Sequence, residues 1–250
     1  MSIIKFKNSI NGEYQKVWTM KGKRGPQGEK GNPGHTPVKG TDYWIDEDKN
    51  RIVNRALETM YIPKQWCFCN GTQHINTGII PLHHSVELVI EVTTTSGPLV
   101  MFGAEEGWRY YGMGMGGAWY IGRNGSYSSQ AQVMGSPVVG QEHIIQYNYS
   151  RQLSDGTLRT GYVTTDGKSF AWTYEYISET PLYLFGGKGL QSDDKNFSGK
   201  VKYCIIKDEE SGEIVRHFIP ATDHRGRGCL YDIIQKKKYY SEGEGDFICI

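Results

Sequence analysis

The sequence predicts a mostly β protein: an antiparallel jelly-roll sandwich preceded by an N-terminal hairpin, a short collagen-like triple helix and one short helix, assembled as a homotrimer. Three observations support this prediction. Gly and Tyr are abundant, at 32 and 17 of 250 residues, which is typical of strands joined by tight turns. Gly occupies every third position from residue 22 to residue 34. From residue 64 onward, β-prone runs alternate with turn signals.

Length and charge limit the possible classes of function. A chain of 250 residues can hold one large β domain or two smaller ones. With 28 basic and 27 acidic residues, the net charge of +1 does not favour a nucleic-acid partner. We find neither an apolar signal segment at the start nor a run of about 18 apolar residues that would span a membrane. We therefore expect no nucleic-acid partner and no membrane partner.

The five cysteines are predicted to be free, buried thiols. Their number is odd, and no second pair stands at the spacing that a zinc site needs. They are Cys67, Cys69, Cys204, Cys229 and Cys249.

Residues 1–20 are predicted to form a small hairpin. Two β-prone runs flank Asn11-Gly12, which is the strongest short signal for a hairpin turn. A hairpin of this size is marginally stable by itself. We therefore expect residues 1–20 to anchor the chain on another protein.

Residues 21–40 read KGKRGPQGEKGNPGHTPVKG and contain the glycine triplets. Only Gly fits at the crowded axis of three wound chains, so this period predicts a short collagen-like stalk. A flexible Gly/Pro-rich linker is the alternative, because five triplets are few. The glycines predicted to face the trimer axis are Gly22, Gly25, Gly28, Gly31 and Gly34.

Residues 41–63 are predicted to contain one short helix. Asp46 is a suitable N-cap and Pro63 ends the segment. An apolar stripe at spacings of three and four residues lies between them, and a helix of about four turns is not stable alone in water. The stripe either forms a three-helix bundle below the triplets or packs on the domain that follows. The residues predicted to trimerise here are Ile52, Val53 and Leu57, next to Ala56 and Met60.

Residues 64–250 are predicted to form the sandwich. In residues 85–95 the alternating positions Val86, Leu88 and Ile90 point to one face and Glu87 and Glu91 to the other. Hairpin turns are predicted at residues 155–156 and 166–167, both of which read Asp-Gly.

The same segment resembles the concanavalin A-like and laminin-G-like jelly-roll domains of phage and bacterial surface proteins. The resemblance rests on NGTQHINTGIIP (70–81), LVMFGAEEG (99–107), PLYLFGGKG (181–189) and GCLYDIIQKKKYYSEGEGDF (228–247). It implies a jelly-roll fold over about 180 residues, and it says less about function because this fold hosts lectins, glycosidases and inert spacers.

The first 60 residues resemble phage fibre proteins that open with a small hairpin, continue into glycine triplets and end in a short helix. The matching segment here includes Thr36, Pro37, Lys39, Asp42 and Tyr43. The resemblance implies a trimer on the virion surface, made in the cytoplasm of the bacterial host and joined to other virion proteins through residues 1–20. The short stalk favours a stubby projection.

The sequence does not present the carboxylates that a jelly-roll glycosidase needs. Such enzymes place acidic residues at i, i+2 and i+4 on one strand face, whereas Glu87 and Glu91 have Val89 between them. We interpret both as a solvated or partner-facing sheet surface. The sequence therefore predicts a protein that is not an enzyme.

Residues 105–129 are the candidate glycan-binding run, because flat aromatic side chains and polar groups at their rim are typical of sugar sites. The alternative is that these aromatic residues are ordinary core residues. The candidates are Trp108, Tyr110, Tyr111, Trp119 and Arg123, with Trp108 and Trp119 as stacking platforms and Arg123 at the rim.

No cofactor is expected, although calcium is possible at residues 191–196. There Asp193 and Asp194 could supply oxygen ligands, and the alternative is a polar turn.

These observations predict a non-enzymatic structural fibre of a bacteriophage, on the tail or the head of the particle, with a lectin-like head. A bacterial cell-surface adhesin is the first alternative and a polysaccharide depolymerase the second.

Overall fold

The computed structural model describes residues 3–7, 14–19, 46–95, 99–104, 112–123, 126–129, 134–148, 151–152, 158–172, 179–186 and 195–250. The chain divides into two compact units, Met1–Arg51 and Ile52–Ile250. The predicted stalk glycines, Asn11-Gly12, Trp108, Tyr110, Tyr111, Asp193 and Asp194 lie outside the described residues.

The N-terminal hairpin consists of β1 (Ile3–Lys7) and β2 (Tyr14–Thr19). The two strands pair antiparallel from Ile3 opposite Thr19 to Lys7 opposite Tyr14. The register shifts after Ile4, which indicates a bulge. This pairing is the one that the sequence predicts.

Helix α1 spans Asp46–Thr59. Three acidic residues occupy its first turn, where the helix dipole favours negative charge. No helix among the described residues, α1 included, is long and apolar enough to cross a membrane. Within its apolar stripe Ile52 and Leu57 are half-buried, whereas Val53 is 46% exposed and Met60, just beyond the helix, is 42% exposed.

The second unit is built from strands. They are β3 (Tyr61–Pro63), β4 (Cys67–Asn70), β5 (Ile75–Asn76), β6 (His84–Val92), β7 (Leu99–Gly103), β8 (Gly112–Met115), β9 (Trp119–Arg123), β10 (Ser126–Ser129), β11 (Glu142–Asn148), β12 (Arg151–Gln152), β13 (Leu158–Arg159), β14 (Gly161–Thr165), β15 (Lys168–Trp172), β16 (Tyr183–Leu184), β17 (Lys195–Asn196), β18 (Ser198–Asp208), β19 (Ile214–Asp223), β20 (Gly228–Asp232), β21 (Lys237–Tyr239) and β22 (Ile248–Cys249).

Two large sheets emerge from these strands in the described part of the chain. The larger has eleven strands in the order β15-β14-β11-β6-β18-β19-β20-β21, with β3 beside β19 and β4 between β18 and β22. The smaller has seven strands in the order β10-β9-β8-β7-β16-β5, with β17 added parallel to β7. All other pairings are antiparallel, and β12 and β13 pair separately.

The two sheets enclose the larger of two hydrophobic clusters among the described residues. Phe102 of the smaller sheet meets Tyr147 of the larger edge to face, with ring centroids 5.2 Å apart. Val86, Leu88 and Ile90 of β6 are fully buried, as their alternation predicts. The predicted mostly β, antiparallel sandwich is therefore confirmed.

The turn between β14 and β15 shows why the sequence signal for hairpins is reliable. Asp166 and Gly167 have φ angles of 51° and 80°, and Thr165 pairs with Lys168 across them. Positive φ at both central residues matches the twist of the flanking strands, and Asp-Gly tolerates it at low cost. The predicted turn at residues 155–156 lies outside the described residues.

Candidate functional site

The predicted aromatic platform is placed differently from the expectation. Trp119 is 1% exposed, and its ring meets the His143 ring edge to face at 5.2 Å. Trp119 therefore lies in the core and offers no exposed face to a sugar. Met113 and Met115, which share one face of the adjacent strand β8, are buried too, whereas Tyr120 on the other face of β9 is partly exposed. Arg123 is the last residue of β9.

A polar pair lies beside Trp119, in which His143 is buried and the Asp166 side chain is 36% exposed. His143 Nδ1 donates to Asp166 Oδ2 over 2.6 Å, and the Val138 amide donates to Nε2 over 3.1 Å. The Ile144 amide binds the other Asp166 oxygen at 3.0 Å. Both imidazole nitrogens are thereby occupied, so this pair fixes a turn and presents no free base for catalysis.

The acidic residues on the outer face of the larger sheet all contact other side chains. Glu87 accepts hydrogen bonds from Tyr203 and Gln146 at 2.8 and 2.9 Å. Glu91 of β6 forms an ion pair with Lys200, which lies opposite it on β18. Burial and the hydrogen bond to Glu87 raise the pKa of Tyr203 to about 12. These carboxylates stabilise the sheet face, which agrees with their interpretation from the sequence.

The described residues form a surface groove with a volume of about 440 Å³. It lies where β5, at one end of the smaller sheet's strand order, meets β21, at one end of the larger sheet's order. Its lining consists of Asn76, Thr77, Gly78, Arg216, Gln235, Lys237, Lys238, Tyr239, Tyr240 and Glu242.

One wall is formed where the segment after β21 follows β5. The Glu242 amide donates to the His74 carbonyl at 2.9 Å, and the Asn76 amide approaches Glu242 Oε1 at 3.4 Å. Gly243 lies so close to Thr72 that an added Cβ would be 1.9 Å from its carbonyl oxygen. Only Gly allows this approach, so the wall depends on that residue.

The base of the groove is held by Arg216. Its guanidinium donates to the carbonyls of Thr77 and Val215 at 3.3 and 2.7 Å, and Nε lies 3.5 Å from the carboxylate of Asp232. With its amide oriented to match these donors, Gln235 accepts from both terminal nitrogens of Arg216 at 2.9 and 3.0 Å. Because Asp232 is fully buried, Arg216 and its partners fix the shape of the base.

The rim of the groove carries positive charge. Lys237 lies 4.8 Å from the centre of the Tyr239 ring, and the adjacent Lys238 lines the same groove. With Arg216 the lining holds three cationic side chains against the single carboxylate of Glu242. Amide, phenol and ammonium groups next to aromatic rings can hydrogen-bond and pack against a polar, negatively charged ligand.

Sequence reasoning missed this groove as a site. The lysine-tyrosine run of residues 236–240 could have indicated one side of the groove, but it was used only for the resemblance of fold. The opposite wall comes from Asn76, more than 150 positions earlier in the chain, and the contact between two sheet edges has no local pattern.

The described residues contain no group of three or more His, Cys, Asp or Glu side chains that could hold a metal ion. The calcium prediction falls on Asp193 and Asp194, outside those residues. It stays a prediction.

Comparisons with known proteins find matches among solved structures. No protein family and no curated protein matches the chain. Among solved structures, domains LG4-5 of the mouse laminin alpha1 chain match with a TM-score of 0.41 and 12% identity, over 70% of this chain and 48% of that one. The chain thus spans about half the length of that laminin structure. The assignment of a β-sandwich rests on the two packed sheets and does not depend on this likeness.

Proposed function

We propose that this chain is a non-enzymatic, homotrimeric fibre protein of a bacteriophage particle, exposed on the virion surface, whose β-sandwich binds an acidic glycan. The observation that carries the binding proposal is the groove between β5 and β21, with its cationic and aromatic lining. The fibre assignment is supported by the sequence resemblance of residues 1–60.

A glycan fits the chemistry of the groove. Sugars present hydroxyl groups at their edges and C–H bonds on their faces, so they suit polar side chains next to aromatic rings. Asn76 lines the groove together with the rings of Tyr239 and Tyr240, whose hydroxyls bind Gln235 and Asp223. A volume of about 440 Å³ lies in the usual range for small-molecule sites.

The charge of the rim favours a glycan with a carboxylate. Lys237 is exposed, and an ammonium beside a sugar carboxylate forms a charge-assisted hydrogen bond, which is stronger than a neutral one. A uronic acid is therefore the ligand class that we expect.

Trimerisation would place three such grooves on one stalk. Weak binding at each of the three linked grooves then gives a higher overall avidity without any new contact. The exposed apolar positions of α1 and the predicted triplets before it support a trimer.

Binding can be tested with the full chain and two polysaccharides, carboxylated alginate and neutral dextran. We expect alginate to bind and dextran not to bind. We expect Lys237→Glu to weaken alginate binding about tenfold, because one charge-assisted hydrogen bond is lost.

The matched control is Lys168→Glu. Lys168 is exposed on β15, at the opposite end of the strand order from β21, so this variant has the same change of charge away from the groove. Equal losses in both variants would mean that net charge, and not the groove, drives binding. Release of new reducing ends from alginate would favour a depolymerase instead.

The fibre assignment has a separate test. A chain without residues 1–20 is expected to remain a soluble trimer that no longer enters the phage particle. Normal incorporation of the shortened chain would contradict the anchor role of this segment.

A further inference from the structure

The two ends of the β-sandwich meet at a pair of cysteines. Strand β22, at the C-terminus, pairs antiparallel with β4, and Cys249 lies directly opposite Cys67. The two residues are 182 positions apart in the chain. This contact is independent of the groove and of the proposed ligand.

The register places these cysteines in the closer kind of cross-strand pair. Trp66 and Ile250 exchange both of their backbone hydrogen bonds, at 3.0 and 2.9 Å. The next pair along, Cys67 and Cys249, is therefore a non-hydrogen-bonded pair, in which Cα atoms lie about 4.5 Å apart and side chains approach each other. That separation falls within the range compatible with a disulfide.

The side chains follow this backbone geometry. The Cys249 and Cys67 sulfur atoms are 3.0 Å apart in a thiol–thiol hydrogen bond. Cys67 is fully buried and Cys249 is half-buried, so only Cys249 is open to a reagent. The hydrogen bond between the two thiols lowers the pKa of Cys249, while burial raises the pKa of Cys67.

We propose that Cys67 and Cys249 form a reversible disulfide that joins β4, near the start of the sandwich, to β22, its last strand. The oxidant is a small-molecule disulfide such as oxidised glutathione. Closing a loop of this length restricts the unfolded chain strongly, so the oxidised form is the more stable one.

The reaction has two balanced steps. The Cys249 thiolate attacks one sulfur of oxidised glutathione, which forms a mixed disulfide and releases one glutathione thiolate. The Cys67 sulfur attacks the Cys249 sulfur as its proton passes to the departing glutathione sulfur, which releases the second glutathione as a thiol. Two protein thiols are oxidised to one disulfide, and one oxidised glutathione is reduced to two thiols.

Two other thiols lie close enough to compete. Cys69 is the next residue of β4 on the same face, and the Cys249 sulfur lies 3.6 Å from the Cys229 carbonyl oxygen. Neither is paired with Cys249 in the β-ladder, so we expect the 67–249 bond alone.

The test oxidises the full chain with oxidised glutathione and maps disulfides by mass spectrometry of peptides. We expect a single intramolecular 67–249 bond, full reversal by dithiothreitol, and a rise in Tm of about 5–15 °C on oxidation. A 69–249 or 229–249 bond, or unreacted thiols, would overturn the proposal.

Variants separate the bond from a general effect of oxidation. In Cys249→Ala the rise in Tm on oxidation should vanish. In the matched variant Cys69→Ala, at the next buried position of β4 after Cys67, the rise in Tm should persist. A rise that survives Cys249→Ala would overturn the proposal. Because the peptide map is made on the unaltered protein, the test holds even if a variant folds poorly.

Discussion

Strand β6 and helix α1 both carry an apolar stripe, and the two stripes differ in what covers them. Val86, Leu88 and Ile90 of β6 are at most 1% exposed. In the stripe of α1, Val53 remains 46% exposed, and Met60 beyond its end is 42% exposed. The β6 stripe is covered by the same chain, whereas the α1 stripe is open in a single chain.

This difference separates the residues that stabilise a single chain from those that are available for association between chains. Burial of a large apolar side chain contributes about 1.5–3 kcal/mol, so the β6 face stabilises the sandwich of one chain. An exposed apolar position contributes little to one chain and gains only when another surface covers it. Core substitutions should therefore change melting, and α1 substitutions should change association.

The largest expected effect is at Trp119. Because this residue is buried in the core, Trp119→Ala should lower the free energy of unfolding by about 3–5 kcal/mol. Chemical denaturation of the purified protein measures this loss. The comparison variant is Val53→Ala in α1, for which we expect less than about 1 kcal/mol. A Trp119→Ala protein as stable as the parent would contradict the core placement.

The second effect concerns α1 and association. Val53→Asp places a charge on the open stripe, so we expect the proposed trimer to dissociate while the melting of the sandwich is unchanged. Light scattering gives the mass and circular dichroism gives the melting curve.

The matched control for association is Asn54→Asp, which adds the same charge about 100° further round the helix. It should leave the mass unchanged. If both variants remain trimers, the stripe of α1 is not the trimer interface.

The fold was predictable where the signals are local. The alternation in residues 85–92 and the Asp-Gly turn at 166–167 each depend on neighbouring residues, and both match the structure. The sequence left two interpretations of Trp119 open, a stacking platform or a core residue, because glycine-rich repeats do not reveal which strand face is covered. The groove depends on Asn76 and Lys237 meeting across two sheets, a contact that only the tertiary fold specifies.

The third effect compares a polar pair of the β-sandwich with a polar pair of α1. Asp166→Ala leaves the buried His143 without its partner at Nδ1, and we expect a loss of about 1–3 kcal/mol in the free energy of unfolding. In α1, Asp48 forms an exposed pair with Arg51 at 3.1 Å, so Asp48→Ala should cost about 0.2–0.5 kcal/mol. Equal losses from denaturant titrations would contradict the distinction between a carboxylate that binds a buried imidazole and one that binds an exposed guanidinium.

The smallest effect is a pH dependence at Asp223 in β19. Burial alone would raise the pKa of this carboxyl, but hydrogen bonds from the Arg227 amide, the Tyr240 hydroxyl and the Arg225 amide, each 2.9 Å long, lower it. A carboxyl with a lower pKa in the folded state adds stability above its unfolded pKa, and this stability is lost as the pH falls through the folded pKa.

Asp223→Asn keeps the shape and most of the hydrogen-bonding capacity of the side chain and removes its charge. At pH 7 we expect Tm to fall by about 2–4 °C, since loss of about 1 kcal/mol has this effect in a domain of this size. The difference should shrink as the pH falls below about 4, because the parent carboxyl is then protonated too. Asp46→Asn in α1 is the control, since Asp46 is exposed at the start of the helix, and its Tm should follow the parent at each pH. A gap between Asp223→Asn and the parent that stays constant from pH 7 to pH 2 would show that the variant loses packing, and not the charge-dependent hydrogen bonds of Asp223.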